Sequence, residues 1–147
     1  MIYTTRGDAT LTPERPGIIV HVVNDVGAWG KGFVLAVSHR WPRVRVAYRS
    51  NWRGMKLGDV QFVEAEPGLV VANLFGQRGI CGKRSRPPIR YGAVRKGLAC
   101  VAVRARADGA HVSMPRIGCG LAGGDWDVVL GIIEEELEGL EVTVYEW

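Results

Sequence analysis

Hydrophobic positions recur along the chain with two different periods. Short runs rich in β-branched residues predict strands at Ile2 to Thr5, Ile18 to Asn24, Val60 to Glu64, Leu69 to Phe75, His111 to Met114 and Val142 to Tyr145. The second and fourth of these are apolar nearly throughout, so they are expected to be central strands covered on both faces. Between the strands, helix patterns run over roughly Phe33 to Arg40, Pro42 to Trp52, Ile89 to Ala107 and Asp125 to Glu138. In the third, Val94, Leu98, Val101 and Ala105 make one apolar stripe with Arg and Lys opposite; in the last, Val129, Ile132, Ile133 and Leu137 do the same against glutamates. Strands alternating with amphipathic helices predict an α/β layered sheet. The stretch from Gln77 to Pro88 carries Gly, Pro and charge without periodicity and reads as a surface loop.

Composition narrows this to one domain, since 147 residues that are 47% hydrophobic and 23% charged fit a single globular unit spanning 1–147 and exclude a disordered chain. Nineteen Lys and Arg against fifteen Asp and Glu leave a net charge of only +4, yet the signs are sorted along the chain. No acid lies between Asp25 and Asp59 or between Glu66 and Asp108, and those gaps hold most of the bases; from Asp108 onward Arg116 is the only base. Such sorting suggests an anionic partner, although charge runs are more often solvated faces. Cys81, Cys100 and Cys119 form an odd set without metal-ligand spacing, which points to a reducing compartment, and neither a leader pattern nor a membrane-length apolar run is present. A soluble cytoplasmic protein with no membrane contact is the expectation.

Glycine changes the picture further. The twenty glycines cluster, and two clusters each follow a strand and precede a helix: Asn24 to Phe33, containing Gly27, Gly30 and Gly32, and Gly118 to Trp126, containing Gly118, Gly120, Gly123 and Gly124. Glycine lets backbone amides approach a ligand, and both following helices offer unpaired N–H groups and a partial positive charge, so both loops suit phosphate. In an α/β sheet they emerge at the carboxyl ends of strands, where ligands of this architecture bind. Gly118, Gly120 and Gly123 also satisfy G-x-G-x-x-G, but a single strand pattern follows them in this sequence, too little for a dinucleotide fold. The bland alternative for either cluster is a tight turn.

The polar residues at these loops admit two readings each. Asn24 fits a ribose-binding amide or a turn starter, and Asp25 a general base or a loop cap. Asp125 sits where a helix N-cap belongs. Cys119 lies near helix donors but has no neighbouring His to activate it, and His21 and His39 read as packed or solvated. Three histidines and scattered acids give no metal signature.

Three segments together resemble a macrodomain over nearly the whole chain: Arg6-Gly7-Asp8 after the first strand, His21-Val22-Val23-Asn24 leading into Gly27-Ala28-Trp29-Gly30-Lys31-Gly32, and Met114-Pro115-Arg116-Ile117-Gly118-Cys119-Gly120-Leu121-Ala122-Gly123. The last is similar to the subgroup of terminal ADP-ribose protein glycohydrolases and ADP-ribose-1″-phosphate phosphatases. The resemblance implies a three-layer α/β/α sandwich with a mixed, mostly parallel sheet of about six strands, and ADP-ribose as the ligand. It implies that Asp8 accepts from the adenine amino group and that Asn24 with Gly30, Lys31, Gly32 and Phe33 faces the distal ribose. It further implies that Ile117, Gly118, Cys119, Gly120, Leu121, Ala122 and Gly123 wrap the diphosphate. Trp29 either covers the ribose edge or is buried for structure. Where the glycohydrolases of this subgroup place a nucleophilic Lys and an Asp, this sequence has Gly76 or Gln77, and Ala122.

The leading expectation is therefore hydrolysis of ADP-ribose from an acidic side chain by a bound water, with Asn24 orienting the ribose, Asp25 or Asp125 positioning the water and Gln77 hydrogen-bonding it. No cofactor or metal is implied, the partner is ADP-ribose or an ADP-ribosylated protein, and a monomer is expected. Rival readings are an ADP-ribose-1″-phosphate phosphatase, a non-catalytic ADP-ribose reader and, resting on the basic run with Trp41, Tyr48 and Trp52, a nucleic-acid-binding module.

Overall fold

Six strands form a single sheet in the order β1-β6-β5-β2-β4-β3 in the computed structural model, which describes residues 1–11, 13–80 and 87–146. The strands are β1 (Ile2–Arg6), β2 (Gly17–Asn24), β3 (Val60–Glu66), β4 (Leu69–Gln77), β5 (His111–Pro115) and β6 (Val142–Glu146). All neighbouring pairs are parallel except β3 with β4, so the sheet is mixed and mostly parallel. The two apolar runs, β2 and β4, lie side by side in its interior. Their alternation divides the core. Ile18, Val20, Ala72 and Leu74 face one layer, and Ile19, Val23, Val71 and Phe75 face the other.

Helices α1 (Phe33–Arg40) and α2 (Pro42–Asn51), with a 3-10 turn at Trp52–Gly54, cover the second of these faces through Val37, Val44 and Tyr48. Helices α3 (Tyr91–Asp108) and α4 (Trp126–Glu136) cover the first with the apolar stripes read from the sequence. The result is a three-layer α/β/α sandwich. Helix α3 starts two residues later than its apolar pattern, because Ile89 bridges to Gln77 and the Arg90 amide donates to Gly76 O (2.9 Å), while Pro87 and Pro88 favour extended backbone before it. Of the expected surface loop from Gln77 to Pro88, residues 81–86 lie outside the described residues. No helix among the described residues is long and apolar enough to cross a membrane.

Candidate functional site

Both glycine clusters sit at the carboxyl edge of the sheet, one after β2 and one after β5, which are adjacent strands. They face each other at close range: a Cβ built on Gly32 would lie 3.4 Å from Leu121 Cδ1, and Leu121 is 48% exposed. Among the described residues, the amides of Gly30, Lys31, Gly32 and Phe33 on one side, and of Gly120, Leu121 and Ala122 on the other, have no protein acceptor. Seven backbone donors flanking one crevice form a fixed positive lining of the kind that holds an anion.

Steric surroundings separate two sorts of glycine here. Gly118 is required by the protein itself, since its φ is +73° and a Cβ would lie 2.4 Å from Ile89 Cδ1. Gly30 and Gly120 are different. Neither has a positive φ, and a Cβ on either would meet nothing within 4 Å, so the fold alone does not account for them.

Of the two helices that follow the glycine loops, one has an open N-terminus. Helix α1 follows Gly32 at its N-cap position, with no side-chain cap and no acid in its first turn. Helix α4 is capped by Asp125, whose Oδ1 accepts from the Asp127 amide (2.9 Å), and Asp127 adds a second carboxylate to that turn. The expectation that the α4 N-terminus also attracts phosphate is therefore corrected: two carboxylates already answer its dipole.

Asn24, at the end of β2, is an anchor for the first loop. Its Oδ1 accepts from the amides of Val26 (3.0 Å) and Ala28 (3.1 Å), and its Nδ2 donates to Ala28 O (2.7 Å). From α2, the Tyr48 hydroxyl reaches both Asn24 O and Asn24 Oδ1 at 2.8 Å. Burial pushes the Tyr48 phenol up to about 12, so it remains a donor at any working pH. One amide hydrogen of Asn24 has no protein acceptor among the described residues. Beside it in register on β4 is Gln77, buried, with Nε2 donating to Gly79 O (2.9 Å). Asp25 Oδ1 accepts from the Gly79 amide (2.8 Å), and its other oxygen has no protein donor among the described residues. Asn24, Asp25 and Gln77 thus meet at the joined ends of β2 and β4, whereas Asp125 is tied to α4 on the far side of the second loop.

Asp8, following β1, accepts from the Thr10 amide (2.8 Å) and hydroxyl (2.7 Å) through Oδ1, and Oδ2 has no donor among the described residues. Trp29 lies beneath the first loop rather than over it. It is 3% exposed and packs against His21 (centroids 5.5 Å) and Tyr48 (5.2 Å). His21 is wholly buried, contacts Phe33 as well (5.7 Å), and its Nε2 meets Asn73 Oδ1 at 2.5 Å. Asn73 Nδ2 donates to Gln61 Oε1, which fixes Oδ1 as the acceptor and His21 as the Nε2–H tautomer. Desolvation lowers the His21 pKa to about 4 despite that hydrogen bond. Ile117 and Ala122 are buried, and the Ala122 carbonyl accepts from the Ile89 amide (3.1 Å). The Cys119 thiol sits with Sγ 3.4 Å from Ile117 O and has its pKa raised, chiefly by burial, which argues against a thiolate nucleophile.

Sequence reasoning missed Tyr48 as a support of Asn24 and Tyr91, whose hydroxyl accepts from the Asp125 amide (2.9 Å). A Tyr on the apolar side of a basic helix was the available signal for the first. It also missed a hollow of about 760 Å³ between β4 and the start of α3, lined by Leu57, Arg78, Pro87, Arg90, Tyr91 and Lys96 among others.

Known proteins share this fold. A Bacteroides thetaiotaomicron protein of unknown function is 47% identical, covers 100% of this chain and 98% of its own, and superposes with a TM-score of 0.93. A macrodomain protein from Streptomyces coelicolor is 46% identical, covering 100% and 99% of the two chains with a TM-score of 0.87. The macrodomain of Thermus aquaticus DarG is 29% identical, with 100% and 99% covered and a TM-score of 0.80. Among curated relatives, the bovine ADP-ribose glycohydrolase OARD1 is 28% identical over 143 residues, 95% of this chain and 88% of that protein. The mouse chromodomain-helicase-DNA-binding protein 1-like is 26% identical over 146 residues, and there the chain spans 16% of the relative's length. No family model matches the chain.

Proposed function

The chain belongs to the macrodomain family, and from that premise we propose that it binds ADP-ribose in the crevice between the two glycine loops and hydrolyses it from modified macromolecules. The observation that carries this reading is the set of seven amides without a protein acceptor among the described residues, on two loops that approach each other across the crevice, with Gly30 and Gly120 under no steric demand from the fold. A diphosphate accepts from such donors without any side chain. Relatives named as a glycohydrolase and as a DarG macrodomain support the reading at 28% and 29% identity.

The strand order supports one direction for the ligand. Asp8 follows β1, the second loop follows β5, the first loop follows β2, and Gln77 ends β4. With adenine on Asp8 Oδ2 and the diphosphate between the loops, the distal ribose arrives at Asn24, Asp25 and Gln77. There Asn24 offers its remaining amide hydrogen to a ribose hydroxyl. The free oxygen of Asp25 accepts a proton from a water, and the Gln77 side chain holds that water.

The most fitting substrate is an ester between the distal ribose and a Glu or Asp side chain. The water oxygen forms a bond to ribose C1″ or to the ester carbonyl carbon, the ester C–O bond breaks, and the products are the carboxylate, a proton and free ADP-ribose. On attack at C1″ the departing carboxylate is a weak base, on attack at the carbonyl carbon the ribose oxygen departs and takes up the proton, and in both cases the loop amides stabilise charge already fixed on the diphosphate. Orientation therefore supplies much of the acceleration that a stronger nucleophile would otherwise provide. This suits a site with Gly76 or Gln77, and Ala122, where the resemblance puts the glycohydrolases' Lys and Asp. Asp125, on α4, is the second carboxylate that a loop movement would bring to the ribose.

Release of ADP-ribose over time from glutamate-, serine- and DNA-linked substrates, with Asn24→Ala, Asp25→Ala and Asp125→Ala beside the parent, tests the proposal. Loss of glutamate-linked turnover in Asp25→Ala with ADP-ribose affinity kept is expected. Intact carrier protein in the presence of a parent that binds ADP-ribose would reduce the function to that of a reader.

A further inference from the structure

Beyond the end of the crevice lies the hollow at the carboxyl end of β4. Arg78 directly follows Gln77, and its amide donates to Pro88 O (2.9 Å). The Asp25 carboxylate holds the Gly79 amide, and Tyr91 receives the amide of Asp125, so both ends of the hollow are tied to residues of the crevice. Pro87 backs the second loop, where a Cβ on Gly123 would lie 3.1 Å away. The hollow has a volume of about 760 Å³ and apolar walls that include Leu57, Pro87 and Tyr91.

Its charges have one sign. Among the described residues no Asp or Glu lines it, whereas Arg78, Arg90 and Lys96 do. Arg90 spends its guanidinium on the carbonyls of Pro87, Pro88 and Ile89, bonds that orient it without neutralising it. Arg78 has no acidic partner among the described residues, and Lys96 stands 3.9 Å from Asp59 with its side chain two-thirds exposed. A concave apolar hollow rimmed by three cations suits a short peptide with acidic side chains. A phosphodiester strand would call for a row of cations along an open groove.

We propose that this hollow is the leaving-group subsite, which takes the acidic peptide segment carrying the ADP-ribosyl ester. The inference rests on the hydrolase reading above and extends it from the ADP-ribosyl half of the substrate to the half that departs. It follows from direction: a ligand running from β1 toward β4 ends its ribose at Gln77, and the group attached to that ribose must continue past Arg78.

The test uses peptides bearing ADP-ribose on Glu, flanked by acidic or by neutral residues, in hydrolysable form for kcat/KM and through a hydrolysis-resistant linkage for affinity. Arg78→Glu reverses one rim charge. Gly92→Glu puts an acid into the hollow where a Cβ meets nothing within 4 Å, at a first-turn helix position that favours acids. The parent is expected to prefer acidic flanks at least fivefold. Both variants should lose that preference while their Kd for free ADP-ribose stays within twofold of the parent. Equal kcat/KM and affinity for both flanks in the parent, or an undiminished preference in both variants, overturns the subsite. Slowing of the DNA-linked substrate alone in the variants also overturns it and moves the hollow to nucleic acid. A flank preference in affinity without any hydrolysis keeps the subsite and removes the hydrolase reading instead.

Discussion

Replacing single glycines separates ligand contact from folding at this site. Gly118→Ala, Gly30→Ala and Gly120→Ala add the same methyl group to three places with different surroundings. At Gly118 the backbone is left-handed, which costs an Ala about 1 kcal/mol, and the methyl would overlap Ile89 Cδ1 at 2.4 Å. Ile89 cannot swing freely, because a Cβ at Gly124 would also lie 2.7 Å from the same Cδ1, so the space around it is already filled. Overpacking of this kind adds about 2 kcal/mol. At about 3 °C per kcal/mol for a domain of this size, Gly118→Ala should lower Tm by roughly 9 °C.

At Gly30 and Gly120 the methyl meets nothing, and removing glycine's freedom from the unfolded chain raises stability by about 0.5 kcal/mol. Those two variants should therefore keep or slightly raise Tm. Their cost falls on the ligand. A methyl group at the crevice wall keeps a phosphate from one or two amide donors, each hydrogen bond to a charged group being worth about 1.5 kcal/mol, which weakens ADP-ribose binding about ten- to 150-fold. Thermal unfolding read against calorimetric titration of ADP-ribose gives both quantities from one preparation. If Gly120→Ala and Gly30→Ala both bind ADP-ribose as the parent does, the diphosphate does not run between these loops. If Gly118→Ala keeps its Tm, the steric argument fails.

Three further outcomes follow from the buried and capped groups. Tyr48→Phe should cost about 1 kcal/mol in urea unfolding, near the low end for a buried hydrogen bond, because Asn24 Oδ1 keeps its two amide donors; a loss above 3 kcal/mol would mean Tyr48 holds more than this loop. His21 is neutral in the fold with its pKa lowered to about 4, so its contribution is fully present above about pH 6.5 and is lost as pH falls through 6.5 toward 4. Over that window the parent should lose about 3 kcal/mol more than His21→Gln, and parallel stability profiles would refute the assignment. Asp125→Ala should remove the α4 cap at about 1 kcal/mol, visible as a Tm lower by roughly 3 °C that Asp125→Ser restores; no recovery in the Ser variant would show that capping is not its structural role.

Legibility differed between elements for identifiable reasons. All six strands and four helices lie where the hydrophobic periods put them, because burial of one face is a demand that each segment meets with its own residues. Element ends were less exact. Helix α3 begins after Ile89 and Arg90, which are claimed by β4, and α2 hands over to a 3-10 turn at Trp52. At the site, the sequence supplied the glycine loops and the set Asn24, Asp25 and Gln77. It left each of those residues with two readings, since an amide or carboxylate side chain serves a turn and a ligand equally well.

The chain by itself thus determined an α/β sheet, two glycine loops on one edge and a basic middle, all of which depend on local order and spacing. Only the tertiary structure decided which glycines the fold requires, that α1 rather than α4 presents an open N-terminus, and that Tyr48 reaches from α2 to hold Asn24. It also placed Arg78, Arg90 and Lys96 around one hollow. These are contacts between residues distant in sequence, and pattern along the chain carries no information about which side chain a folded neighbour will meet.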